Sequence, residues 1–214
     1  IAGAMEAIAL SKGGSLSFPT IATINGQTLH NHYHGNTVKS GDLFLIDAGA
    51  ETEMGYAGDM SSTFPADKTF TARQRDVVEI QNAMHHASVK ALRPGITYME
   101  VYEQSARVMV EGLKGLGLMK GNVDDAVKEG AYAMFYPHGL GHMMGLDVHD
   151  MENLGETWVG YDGQPRSTQF GRKSLRLGRT LEAGFVITVE PGIYFIPELM
   201  DKWRAEKKVM DFLN

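Results

Sequence analysis

Apolar and polar positions recur with distinct periods along the chain, and each period predicts an element. Ser17 to Ile24 is rich in β-branched and aromatic residues and stops at Asn25-Gly26, a turn pair, which predicts a strand. Asp42 to Asp47 is a short apolar run bounded by Gly41 and Gly49, the pattern of a buried strand. Tyr56 to Phe64 then reads as its hairpin partner across a turn containing Glu51 to Gly55. Beyond Thr71 the period changes. Thr71 and Gln74 have the spacing of a capping box, and Val77, Ile80, Met84, Ala87 and Ala91 follow at steps of three and four. Arg93-Pro94-Gly95 ends that helix. A second capping box, Thr97 with Glu100, opens another helical stripe through Val101, Ser105, Val108, Gly112 and Leu116. A shorter helix is expected over 123–131 and a helical tail over 198–212. Phe185 to Glu190 reads as a further strand, and 151–179 as a long polar surface excursion. Strands and helices mix in an α+β order.

Composition narrows the function classes. The 214 residues suffice for one domain with a substantial core, and 43% hydrophobic with 21% charged residues is ordinary globular composition. A net charge of −6 gives no electrostatic reason to expect a nucleic-acid partner. The absence of cysteine excludes disulfides, thiolate metal sites and a cysteine nucleophile, and fits a cytoplasmic location. No apolar run approaches the roughly 18 residues of a membrane span, so no membrane partner is expected. The opening Ile1–Leu10 lacks the basic start of a signal peptide and reads as the end of an amphipathic helix, which suggests a truncated chain.

The densest chemistry lies between Pro137 and Asp150, where His138, His142 and His149 are interspersed with glycines and with Asp147 and Asp150. The glycines at 139, 141 and 145 argue for an extended or bent path over a helical one. A lone histidine, or an aspartate beside glycine, is ordinarily a satisfied polar or turn residue. Here three histidines accompany Asp47, Asp59 and Glu190, and Glu190 ends an apolar run where an unpaired carboxylate would cost several kcal/mol. Asp47 and Asp59, on strands paired by a hairpin, would stand about 5 Å apart. Carboxylates with one imidazole suit manganese, cobalt, iron or zinc. Two such ions, roughly 3.5–4 Å apart, activate water for hydrolysis.

These blocks carry a resemblance. Ile46-Asp47-Ala48-Gly49, Gly55-Tyr56-Ala57-Gly58-Asp59 with Thr63-Phe64-Pro65, His138-Gly139-Leu140-Gly141-His142 with Gly145 to Asp150, and Thr188-Val189-Glu190-Pro191-Gly192 occur in the order seen in the pita-bread metallopeptidases. Among these, the chain resembles the aminopeptidase P and prolidase branch, which cleaves next to proline. The resemblance implies an α+β pita-bread (creatinase/aminopeptidase-like) fold, an antiparallel sheet covered by helices. It implies Asp47, Asp59, His142 and Glu190 as ligands of two divalent metal ions, manganese first, with cobalt, iron or zinc as alternatives. Glu190 would also activate the water, His149 would stabilise the tetrahedral intermediate, His138 would contact the leaving-group side, and His30 would touch substrate.

Two departures qualify this picture. The family's fifth ligand, a glutamate in a Gly-x-Arg-x-Glu-Asp context, has no match after Glu190: Glu198, Asp201, Glu206 and Asp211 fall in the polar tail. The usual N-terminal domain, and with it the first helix, are also expected to lie outside residues 1–214. Residues 1–214 are therefore expected to be an incomplete catalytic domain, with little turnover of its own. The expected activity of the parent protein is Xaa-Pro aminopeptidase. Its substrate would be a peptide with proline at the second position, and its assembly a homodimer or larger. The alternatives are an Xaa-Pro dipeptidase and a metal-free pita-bread protein that binds peptides or hydrolyses another C–N bond. Retention of all four ligand residues argues against metal loss.

Overall fold

The computed structural model describes residues 1–214. They divide into two compact units, residues 1–75 with 143–151, and residues 76–142 with 152–214.

The first unit holds helix α1 (Ala2–Ser11) and a three-stranded antiparallel sheet in the order β1 (Ile21–Thr23), β2 (Leu43–Ala48), β3 (Met60–Pro65). The hairpin is where the apolar run and its turn place it, with Leu45 opposite Thr63 and Asp47 opposite Ser61. β1 is shorter than the Ser17–Ile24 run. Pro19 has no N–H to give to a ladder, and the strand bulges there. Leu16 faces Ala50 and Ile21 faces Asp47, five steps along one strand against three along the other. β3 is the outer strand and is largely exposed, with Met60 and Phe64 open to solvent.

Helix α2 (Ala72–Ala91) starts at the expected box: Thr71 N donates to Gln74 Oε1 (2.9 Å) and Gln74 N to Thr71 Oγ1 (3.3 Å). Helix α3 (Tyr98–Gly115) starts at the second, with both reciprocal bonds between Thr97 and Glu100 formed. The buried face of α3 is wider than the predicted stripe. It comprises Tyr98, Val101, Tyr102, Ser105, Ala106, Met109, Val110 and Leu113, while Leu116 is exposed. The broad face packs against α4 (Val123–Lys128) and the 3-10 turn Ala131–Met134. Tyr102, Tyr132 and Tyr136 stack edge to face behind it, Tyr102 to Tyr136 at 5.3 Å. No helix is long and apolar enough to cross a membrane.

Other predicted elements differ more. The 151–179 stretch is no surface excursion: it forms α5 (Glu156–Tyr161) and 3-10 turns, and it sends Tyr161, Leu175 and Leu177 into the core. Its polar residues are bound in ion pairs, Arg166 with Glu156 at 2.5 Å, Arg172 with Glu103 at 2.7 Å, and Arg176 with Glu152. The Phe185–Glu190 strand is reduced to two rungs, Thr188 N to His142 O (2.9 Å) and Glu190 N to Leu140 O (2.8 Å). Pro191 ends it at once, since proline cannot donate to the next rung. The predicted tail helix stops early. α6 (Pro197–Ala205) has proline in its first turn, where no N–H is needed, and the left-handed φ of Lys207 (51°) and Val209 (48°) break the helix before the Met210–Phe212 turn.

Candidate active site

In the second unit the glycine-spaced histidines follow the extended path predicted for them, and the two rungs lay Leu140–His142 alongside Thr188–Glu190. His142 is buried, 4% exposed, and its Nε2 lies 3.2 Å from Glu190 Oε1. Thr188 lies between them. Its Oγ1 accepts from the His142 backbone N–H at 3.0 Å and donates to Glu190 Oε1 at 3.0 Å. The Tyr98 hydroxyl, wholly buried at the start of α3, donates to the Thr188 carbonyl at 2.5 Å. Gln81 of α2 holds the turn that follows, its Nε2 donating to Pro191 O at 3.1 Å.

Glycine is needed at 141 for a steric reason. A Cβ there would lie 2.2 Å from the Thr188 carbonyl oxygen and 2.7 Å from the Tyr98 hydroxyl. The close approach that glycine permits brings His142 and Glu190 together.

Electrostatics follow from this packing. Burial pushes the Glu190 carboxyl up. The hydrogen bond and charge of His142, with help from His138 and Thr188, outweigh it and hold the group below the usual glutamate value. Burial, reinforced by the Glu190 charge, raises Tyr98 well above the usual tyrosine value, so its hydroxyl stays a donor. His138 is held by rings and backbone. Its imidazole packs edge-on between Tyr136 and Tyr194, 5.1 Å from each, and its Nδ1 lies 2.7 Å from Gly139 O. A carbonyl can only accept, so Nδ1 carries a proton.

The first unit places the remaining sequence-predicted residues. Asp47 lies on β2 opposite Ser61, and Asp59 comes just before β3, two residues ahead of Ser61. The two aspartates are thus diagonal neighbours on one sheet face, not directly opposed as a simple hairpin would have them. Gly58 N to Ala50 O (3.0 Å) keeps the antiparallel register through this point. Diagonal neighbours have Cβ atoms about 7–8 Å apart or less, within joint reach of one ion pair. His149 lies half-buried in the 143–151 turn, which is closed by Asp150 N to Met143 O (3.1 Å). That turn docks on the loop before Asp59, with Ala57 N donating to Gly145 O at 2.8 Å. His30 is exposed on the loop after β1, outside the sheet, with a left-handed φ of 55°. His32 and His34 are exposed, and His85 and His86 stack on α2. Glu198, Asp201, Glu206 and Asp211 are all exposed in and after α6.

The donors suit a hard divalent cation. Within the second unit an imidazole nitrogen and a carboxylate oxygen are presented side by side on paired backbone; within the first unit Asp47 and Asp59 lie on one sheet face. Thr188, Tyr98, Gln81 and Tyr194 support this site, and sequence reasoning missed all of them. Only Thr188 left a trace: it is two residues before Glu190, so on extended backbone its side chain shares the Glu190 face.

Comparison with known proteins shows the family. The profile described as Metallopeptidase family M24 matches residues 1–210. An Xaa-Pro aminopeptidase of Escherichia coli (strain K12) is 41% identical over 186 residues, covering 85% of this chain and 38% of that protein. A human Xaa-Pro dipeptidase is 38% identical over 194 residues, covering 89% of this chain and 38% of its own length. The chain therefore spans about two fifths of the curated relatives it matches. Among solved structures, the low-pH form of Escherichia coli aminopeptidase P superposes with a TM-score of 0.77 at 38% identity, over 92% of this chain and 41% of that one. Pseudomonas aeruginosa aminopeptidase PepP gives 0.76 at 35% identity, over the same shares. With a family match across nearly its whole length and the His142–Glu190 pair set on facing extended segments, the chain belongs to metallopeptidase family M24 and has the pita-bread fold.

Proposed function

We propose that the protein is an Xaa-Pro aminopeptidase, a metal-dependent hydrolase that cleaves the bond between an N-terminal residue and proline. The observation that carries this reading is the 3.2 Å approach of His142 Nε2 to Glu190 Oε1 in a chain 41% identical to an Xaa-Pro aminopeptidase. The proposed metal ligands are Asp47, Asp59, His142 and Glu190, and the proposed cofactor is a pair of divalent ions, manganese first. Bound ions of this kind supply an acidified water and positive charge for a developing oxyanion.

The chain's own residues would do the rest. Glu190, kept ionised by His142 and Thr188, takes the proton from the attacking water and returns it to the leaving prolyl nitrogen as the C–N bond breaks. His149 donates a hydrogen bond to the tetrahedral intermediate. His138, with Nδ1 fixed on the Gly139 carbonyl, contacts the substrate on the leaving-group side. His30 contacts substrate from its exposed loop. An Xaa-Pro bond is a tertiary amide, which has no N–H to offer a general peptidase, and the residue before proline is confined to extended backbone. A dedicated site is therefore needed.

The second reading, Xaa-Pro dipeptidase, is favoured by the 38% identity to the human enzyme of that name. Peptide length separates the two. The intact protein, stripped of metal and reloaded with Mn²⁺, should release the first residue from an Xaa-Pro-Xaa tripeptide. Cleavage of Xaa-Pro dipeptides alone would make it a dipeptidase. No metal-stimulated cleavage of either, or full activity in Asp59→Ala or Glu190→Ala, would defeat the peptidase reading.

A further inference from the structure

We infer that Thr188, backed by Tyr98, is a positioning residue that locks His142 and Glu190 into a single metal-binding arrangement. This inference rests on the proposed metal-binding role of those two residues, and it gives a role to Thr188, which is not itself a proposed ligand. The Thr188 hydroxyl has one proton and can accept as well as donate. Its two partners leave it no choice of direction: the His142 backbone N–H can only donate to it (3.0 Å), and the Glu190 carboxylate can only accept from it (3.0 Å). One hydroxyl thus bonds to the backbone that carries the imidazole and to the carboxylate that faces it.

The Thr188 backbone is held as firmly. Its N–H donates to His142 O at 2.9 Å, and its carbonyl accepts from the buried Tyr98 hydroxyl at 2.5 Å. Tyr98 is rooted at the start of α3, where Thr97 and Glu100 cap the helix. The space behind Thr188 is closed by Gly141, where no side chain would fit between the Thr188 carbonyl and the Tyr98 hydroxyl. His142 and Glu190 are therefore oriented against a common anchor in α3. Partners that orient metal ligands in this way typically contribute about 10- to 100-fold in metal affinity.

The test is Mn²⁺ titration calorimetry on the intact protein, with the visible spectrum of the Co²⁺-loaded form as a second readout. Thr188→Val keeps the volume and removes the hydroxyl; Thr188→Ser keeps the hydroxyl. Thr188→Val should weaken Mn²⁺ binding by roughly 10- to 100-fold and alter the Co²⁺ spectrum, and Thr188→Ser should restore both. A merely structural threonine would lower the melting temperature of the metal-free protein without changing the Co²⁺ spectrum. Wild-type affinity and spectrum in Thr188→Val would overturn the inference. If that variant fails to fold, Tyr98→Phe carries the test: weaker Mn²⁺ binding supports the anchor, and unchanged binding overturns it. Glu190→Ala tests the underlying reading separately. Loss of Mn²⁺ binding there, with wild-type binding in Thr188→Val, sinks the positioning role alone; Mn²⁺ binding by Glu190→Ala at wild-type strength sinks the metal reading itself.

Discussion

Glu190 carries opposing influences, and their balance has a consequence for acid stability. Burial works against its charge, yet His142, His138 and Thr188 together hold its pKa below the usual 4.5. A carboxyl depressed in the folded state binds fewer protons there than when unfolded, so it stabilises the fold at pH values above its unfolded pKa. That contribution is lost as pH falls through the folded value. In the metal-free protein, Glu190→Gln removes this titration. Its stability should therefore fall less steeply than wild type between about pH 5 and pH 3, measured by urea unfolding at each pH. Parallel slopes would show that His142 and Thr188 do not hold the charge. At this scale the sequence was informative about the proposed ligand pair His142 and Glu190 as neighbours and nearly silent about the residues that support them. Acidic and imidazole residues beside glycine stand out in a chain of 43% hydrophobic composition, and His142 and Glu190 proved to be neighbours. Tyr98 offers only an aromatic ring just inside a capping box. Nothing in its neighbours along the chain announces that its hydroxyl crosses 90 positions to reach Thr188.

Helices with strong local signals were legible as elements, because a capping box is a contact between residues three apart and needs no tertiary partner. Thr71 with Gln74 and Thr97 with Glu100 form where the spacing predicts. The 151–179 stretch failed for the opposite reason. Its buried residues, Tyr161, Leu175 and Leu177, are few, widely spaced and set among arginines and glutamates, so no period emerges. Two effects could hold it down, and their magnitudes decide between them. The Glu156–Arg166 pair is about a quarter to a third exposed on each side, and partly solvated pairs of this kind typically contribute about 0–1 kcal/mol. Leu175 is fully buried, and truncating such a leucine costs roughly 2–5 kcal/mol. Leu175→Ala should therefore destabilise the protein by about that amount, and Arg166→Ala by under about 1 kcal/mol, in urea unfolding. The reverse order would mean that the ion pairs, not the core leucines, secure the segment. The 185–190 strand was overestimated on a related ground. An apolar run suggests how much backbone is ready to pair, while the length of the ladder is set by a partner rich in glycine and by Pro191.

For the molecule as a whole, the proposed metal pair couples chemistry to stability, and the composition makes that coupling easy to read. A ligand that binds only the folded state stabilises it by mass action, about 2.7 kcal/mol at a hundred times the dissociation constant. For a chain of 150–250 residues, 1 kcal/mol moves the melting temperature by about 2–4 °C, so saturating Mn²⁺ should raise it by roughly 5–10 °C. Binding to the unfolded chain would erode this gain. Here that erosion is small: the unfolded chain has the same carboxylates and imidazoles but scatters them, so no preformed set of ligands exists to bind the ion. A chelator should return the melting temperature to the metal-free value. In Asp59→Ala and Glu190→Ala, Mn²⁺ should shift it by no more than a degree or so, because a broken ligand set forfeits most of the affinity. Should Mn²⁺ raise the melting temperature of those variants as much as that of wild type, the stabilising ion must bind elsewhere on the protein.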